Sequence, residues 1–546
     1  MIPIKILCEC GQKYAFDAEP IGGRISQAVQ CPVCGIDGTT ATNQLIAQHL
    51  AVNVTPASGL RIGGQQPPAT VPLPPQNFTS ARDRNFGGVK VRNKRLNLAL
   101  GGAGVAILVL AGAVMFSLSA NRKPEPAALF AGSTDGLPNT LAELDAWYVE
   151  PPAGQNAAAF YSRGLDALQI GKAASSNLPL LGKGQLPPLG SPMPTSLKST
   201  LATFVKSNRD ALRFFAEGTK YDRCRYPVDL TLGYDALFPH VPKLKNAALL
   251  VELSAISHAE ANQAEEAAND VLIGLGLAHS LADEPALLSQ LIRATSISAA
   301  VAALEQTVNR TTLPAGTASE LSKVFRKMED YDARGEGFGR ALAAERAISL
   351  TMLATPQKLL PAVSAPGLNI PADQRDQTMA RLQKGDPLKE ELEFLATSFR
   401  QLLAARKETF PDRLKTDDRI RQRVTEAASK KLVIIEVLVA GLAGRTAIEA
   451  ESLARLRLGW TAVALEQFRA AHGRQYPATL SELTPEFLSA TPADPFDGQP
   501  LRYRKKAGGY ALYSIGPDLK DDSGERKQGK DGDIVFAVIT PARADR

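Results

Sequence analysis

The sequence predicts a multidomain, mainly helical chain with one transmembrane helix, a small four-cysteine zinc domain at its start and an α+β unit at its end. Three observations carry this. Four of the five cysteines lie within the first 34 residues, and residues 96–120 hold no charged side chain. Most of what remains is rich in Ala and Leu with only 6% aromatics, a balance that favours helix over sheet. At 546 residues the chain exceeds what one hydrophobic core accommodates. A formal charge of +6 is modest for that length and gives no reason to expect nucleic acid as a partner. So few cysteines exclude a disulfide scaffold.

Residues 1–50 carry Cys8 and Cys10 as a C-x-C pair and, after twenty intervening residues, Cys31 and Cys34 as a C-x-x-C pair. Gly11 and Gly35 follow the two pairs and permit the tight turns that aim both thiolates of a pair at one ion. Four soft thiolates suit tetrahedral structural zinc, with no open position for catalysis. A redox or free-thiol cluster is the competing reading, but so short a segment has little core to hold it together without a metal. The segment resembles the zinc ribbons at the N-termini of many bacterial membrane-associated proteins, with C-x-C in place of the usual first C-x-x-C.

Residues 51–95 form a linker and a basic flank. The stretch 55–80 carries six prolines and only isolated large apolar residues, too little to bury, and reads as extended chain. Residues 80–95 hold Arg82, Arg84, Lys90, Arg92, Lys94 and Arg95 against Asp83 alone. Leu96–Ala120 is long enough to span a bilayer as a helix. The other reading, a buried core helix, would normally show a polar face. The positive-inside rule then keeps the zinc domain in the cytoplasm and exports everything after residue 121, a single-pass inner-membrane topology. The basic run also contacts anionic lipid, which makes the lipid bilayer a partner. Gly101, Gly102, Ala103, Gly104 and Gly112 allow a second such helix to approach, so an oligomer through this helix is one outcome.

Residues 124–430 read as an exported helical domain of helical-hairpin type. Asn139 is the expected N-cap of its first helix. Residues 245–308 give three amphipathic pieces joined by short loops, similar to a tetratricopeptide-like stack without a fixed repeat. No catalytic motif is found. His240, His258 and His279 are its histidines, and His258 and Glu260 stand two apart on different helix faces. Cys224 sits between Arg223 and Arg225 with no sequence-adjacent partner for a nucleophile's role.

Residues 431–546 form the last unit. Residues 431–471 make one long helix or two joined near Gly444, with Leu456, Trp460, Val463, Ala464 and Phe468 along one stripe. Gly473 stops the helix and Thr479 caps a short one. "LRYRKK-AGG-YALYSI" reads as two strands about a turn and "DIVFAVI" as a third. Between Asp518 and Asp533 stand six acids and four bases, a composition that by itself suits a solvated loop and lacks EF-hand spacing.

"ALEQFRAAHGRQYPATLSEL", "DPFDGQPLRYR", "YALYSIGPD" and "GDIVF" together resemble the C-terminal domain of the major pseudopilin of bacterial type II secretion, over about 90 residues. The resemblance implies a structural calcium in the loop before the last strand. By position Asp518 and Asp533 would be side-chain ligands, with Asp521 or Asp522 beside them and carbonyls near Ser514 helping. The chain is not expected to be processed and assembled as a pilin, since Glu436 and Arg445 interrupt the corresponding helix and no leader precedes it. The functional expectation is a non-enzymatic binding or assembly protein linked to secretion. A membrane-anchored signal transducer is the alternative, and an exported hydrolase, which requires a pocket where acids or histidines converge, the third.

Overall fold

The computed structural model describes residues 2–7, 13–18, 29, 33, 136–171, 177–363, 371–385, 388–526 and 532–539. Two compact units are distinguished: Met1–Arg84 with Gln169–Gln185, and Asn85–Leu168 with Leu186–Arg546. In the first, β1 (Ile2–Leu7) and β2 (Lys13–Ala18) form an antiparallel hairpin whose register pairs Ile4 with Phe16 and Leu7 with Lys13. Cys8 and Cys10 belong to the connection between these strands. They lie outside the described residues, as do Cys31, Cys34 and the expected transmembrane helix 96–120.

The second unit is mainly helical with a small sheet near its end. It opens with α1 (Leu141–Trp147), whose N-cap is Thr140 rather than the expected Asn139. The Thr140 hydroxyl accepts from Glu143 N at 3.2 Å, while Asn139 N donates to the Glu143 carboxylate at 2.7 Å. The two residues are both good caps, and the Glu143 side chain reaching back settles the start one residue later. α2 (Ala158–Asp166), α3 (Thr195–Ser207) and α4 (Arg209–Gly218) follow. Next come α5 (His240–Glu260), α6 (Ala264–His279) and α7 (Leu287–Val308), which pack consecutively on one another and match the three pieces expected over 245–308.

α7 is not amphipathic. It is long and apolar enough to cross a membrane, yet 83% of its most apolar window is buried, which makes it the central core helix. α8 (Ala315–Ala333), α9 (Glu336–Leu353), the one-turn α10 (Leu360–Val363), α11 (Ala372–Lys384), α12 (Lys389–Ala405) and α13 (Lys415–Ser429) continue the helical run. The segment 431–471 is two helices, α14 (Val433–Ala440) and α15 (Arg445–Ala471). Gly444 separates them at φ +76°, a left-handed backbone that glycine adopts without penalty.

The predicted meander is present as β3 (Arg502–Lys506), β4 (Gly509–Ser514) and β5 (Ile534–Ile539), antiparallel in that order with Leu512 opposite both Tyr503 and Phe536. β4 is central and buried throughout. The stripe Leu456, Trp460, Val463, Ala464 and Phe468 of α15 lies in one apolar cluster with Leu304 of α7, Phe325 of α8, and Tyr510 and Phe536 of the sheet. The sheet therefore shares its core with the helices before it.

The outer edge of β5 is closed by α7. Ala537 N donates to the Glu305 carboxylate at 2.6 Å, while Asn309 donates to Ala537 O and accepts from Ile539 N, both at 2.8 Å. Two side chains one helical turn apart thus occupy the hydrogen-bonding sites that a fourth strand would use, which protects an edge otherwise open to another chain. Asn309→Leu leaves Ala537 O and Ile539 N, both part-buried, without their partner and is expected to cost about 1–2 kcal/mol. Hydrogen exchange at Ile539 should accelerate with it. Unchanged protection there would remove the edge-closing role.

Candidate functional site

The "DPFDGQP" turn is organised by Asp494, which is fully buried. Its Oδ1 accepts from Phe496 N at 3.0 Å and from Ser514 Oγ at 2.8 Å; its Oδ2 accepts from Ile515 N at 2.9 Å and from Arg502 Nη1 at 2.7 Å. Burial pushes this carboxyl up, and the donors around it pull it back down. One carboxylate thereby fixes the turn, the start of β3 and the end of β4. Ser514, whose neighbourhood the resemblance assigned to calcium, spends its hydroxyl on Asp494.

The acidic loop leaves β4 at Gly516, with φ +71°, where a Cβ would stand 2.4 Å from Gly532 O. The two ends of the loop touch through backbone, which only a residue lacking Cβ allows. Asp518 turns inward on its own segment and accepts from Lys520 N at 3.1 Å; Asp521 accepts from Ser523 N at 2.8 Å. Asp533 reaches across and accepts from Asp522 N at 3.2 Å and Gly524 N at 2.6 Å. Burial first, and then the charges of Asp521 and Asp522, push the Asp533 carboxyl above its usual range. These three carboxylates share one electrostatic field. Among the described residues, no three His, Cys, Asp or Glu side chains converge closely enough to hold a metal ion.

A second polar centre surrounds Glu284, on the turn before α7. Both of its carboxylate oxygens lie 3.0 Å from His240 Nε2, Ser289 Oγ donates to it, and Tyr148 donates at 3.4 Å. Tyr226 stacks on the His240 ring at 3.9 Å and pairs its hydroxyl with Ser280 at 3.0 Å. Burial and then Glu284 push the neighbouring Cys224 thiol up, so it remains protonated and a poor nucleophile. A hydrolytic triad needs the hydroxyl on the imidazole. Here hydroxyl and imidazole bind the same carboxylate, and Glu284 and Ser289 are both at 0% exposure. The geometry locks α1, α5 and α7 together.

The other two histidines of residues 124–430 are also engaged. His258 Nδ1 lies 2.7 Å from Asp270, which raises the imidazole, while Glu260 pairs with Arg310 at 2.8 Å; despite the two-residue spacing, both residues line one open cavity of about 650 Å³ between α3 and α5. His279 donates to Asp222 O at 3.2 Å, and burial pushes it down to about 4.

No family model, no curated protein and no solved structure matches the chain. The functional reading therefore rests on the residues themselves. Asp494 was open to discovery: Asp-Pro with Gly four positions on marks a turn in which the carboxylate bonds backbone two residues ahead. Glu284 was not. It meets His240 across 44 positions, and neither residue's surroundings in sequence announce the other.

Proposed function

We propose that the chain is a single-pass inner-membrane protein that binds or assembles partners outside the cytoplasm and performs no catalysis of its own. In this reading a cytoplasmic zinc ribbon, residues 1–50, holds zinc through Cys8, Cys10, Cys31 and Cys34. The linker and basic flank, 51–95, lead into the transmembrane helix 96–120. The helical-hairpin scaffold 124–430 is exported and carries a pseudopilin-like cap, 431–546, whose association is with secretion machinery. Calcium in the acidic loop is structural.

One observation carries the reading: α15 is followed in order by a capped turn, the Asp494 turn and a three-stranded antiparallel meander whose last connection is acidic. Thr479 and Glu482 form a reciprocal capping box there, with Glu482 accepting from Thr479 N at 2.8 Å. The zinc assignment draws support from β1 and β2, a hairpin whose connection carries the C-x-C-G motif. The calcium assignment draws support from Asp533, whose carboxyl is pushed up in part by the charges of Asp521 and Asp522, a repulsion a divalent cation would relieve if the loop drew the three together. Asp518 would have to release its own turn to join them.

Metal analysis of the full-length chain tests both sites. The C-terminal unit is kept in the full chain, because excising it would expose its own Trp460 stripe, which shares an apolar cluster with Leu304 of α7 and Phe325 of α8. About one zinc per chain is expected, lost in Cys31→Ser. Calcium should raise the melting temperature of the wild type and have no effect on Asp533→Asn. A zinc-free chain, or one indifferent to calcium, removes the corresponding site.

A further inference from the structure

α9, α12, α13 and α15 enclose a cavity of about 40 Å³ whose polar wall is Arg406, Arg413, Arg445, Thr416 and Glu449, the rest being largely apolar. Three guanidinium groups face it against one carboxylate. Arg413 is fully occupied: Nη1 donates to Glu449 at 2.9 Å, Nη2 to Ala333 O at 2.8 Å and Nε to Glu408 O at 2.9 Å. Glu449 is thereby hydrogen-bonded to Arg413, and it is also the leading counter-charge of Arg406.

The other two arginines are not so provided. Arg445 donates Nε to Gly441 O at 3.1 Å, but its Nη1 has no acceptor, and the Thr416 hydroxyl beside it has no partner either. Both residues are more than nine-tenths buried, at 7% and 5% exposure. Arg406 also has a buried Nη1 without an acceptor. It lies flat on the start of α9, where a Cβ at Gly335 would stand 2.6 Å from its Nη2 and one at Gly339 2.2 Å from its Nη1. The glycines of "GEGFG" are what let this cation into the wall. The carboxylates nearest Arg445 act on it by charge and take their hydrogen bonds from other donors. Asp417 accepts from Gly444 N at 3.1 Å and Ala447 N at 3.2 Å, and Glu345 accepts from Tyr234 at 2.9 Å.

A buried guanidinium with a free nitrogen is costly. Water in the cavity would satisfy the donors but leave three guanidinium groups facing one carboxylate across it. We propose that the cavity binds a small inorganic anion of halide size, held by Arg445, Thr416 and Arg406. The small volume sets the class: the space admits a small ion or a few water molecules and is too small for a nucleotide or a sugar phosphate. The ion would tie α12 and α13 to the first turn of α15, the helix on which the C-terminal sheet rests.

The test is the melting temperature of the full-length chain in sodium gluconate against sodium chloride and sodium bromide at fixed ionic strength. The halides are expected to raise it saturably by about 2 °C or more. Arg445→Met should abolish the difference. If that variant does not fold, Thr416→Val keeps the charge, removes one donor, and should raise the half-saturating chloride concentration about tenfold. In crystals soaked in bromide an anomalous peak is expected between Arg445 and Thr416. Equal melting temperatures in gluconate and chloride, or water alone in the bromide-soaked cavity, overturn the proposal.

Discussion

Asp494→Ala is expected to lower the stability of the chain by about 3–5 kcal/mol, the range for removing one partner of a buried, hydrogen-bonded ion pair. The change strands three donors at once. Phe496 N, Ile515 N and Ser514 Oγ lose their acceptor at a site with no exposure to water. Arg502 keeps Asp497, with Oδ1 at 3.2 Å, so it is the least affected. Asparagine should not rescue. Its oxygen can replace Oδ1 toward Phe496 N and Ser514, but its amide then points two hydrogens at Ile515 N and Arg502, which are themselves donors. Asp497→Ala, at the half-buried end of the same turn, should cost about 1 kcal/mol or less. Urea unfolding of the three variants checks the order. An Asp494→Asn protein as stable as wild type would show that the carboxylate is not the hub.

That hub also explains what could be read in advance and what could not. The meander was legible because "YALYSI" and "DIVFAVI" are apolar runs of strand length and Gly508-Gly509 marks the turn between the first two strands. The break at Gly444 was legible because glycine in a long apolar helix is a stop signal. Asp494 lay inside a recognisable turn, yet two of its four donors come from Ser514 and Ile515, about twenty residues on, and only folding brings them there. The same holds for α7. Its apolar residues announce a helix, but not that Glu305 and Asn309 would complete the edge of a strand more than 200 positions later. The hairpin at the N-terminus had a local signal, Ile2, Ile4 and Ile6 at a period of two, that the cysteine spacing beside it overshadowed. Local chemistry yields elements; buried polar contacts between distant segments are where a single sequence falls silent.

Glu252 makes stability fall as pH rises. It is 3% exposed on α5, its Oε2 has no hydrogen-bond partner, and burial with Glu305 nearby pushes the carboxyl up to about 8 from an ordinary 4.5. Glu305 accepts from Arg526 and from Ala537 N. Between those two values the folded chain carries a proton that the unfolded chain has lost. The contribution is thus complete below about 4.5 and disappears as pH rises through about 8, at up to ~1.4 kcal/mol per pH unit. Glu345, pushed up to about 7 by burial, acts in the same direction, as does the raised His258 above its ordinary value. His279 opposes them, but only between about 4 and its ordinary 6.5, because its neutral form is the buried one. The window from pH 6.5 to 8 therefore excludes His279. Urea unfolding across it should show wild-type stability declining and the Glu252→Gln protein declining more shallowly by close to one proton's worth, since glutamine keeps the shape and cannot ionise. His258 and Glu345 contribute equally to both proteins and cancel in the difference. Parallel pH profiles for the two would mean that Glu252 ionises freely in the fold, and that α5 has water where the packing of α5 against α7 leaves it none.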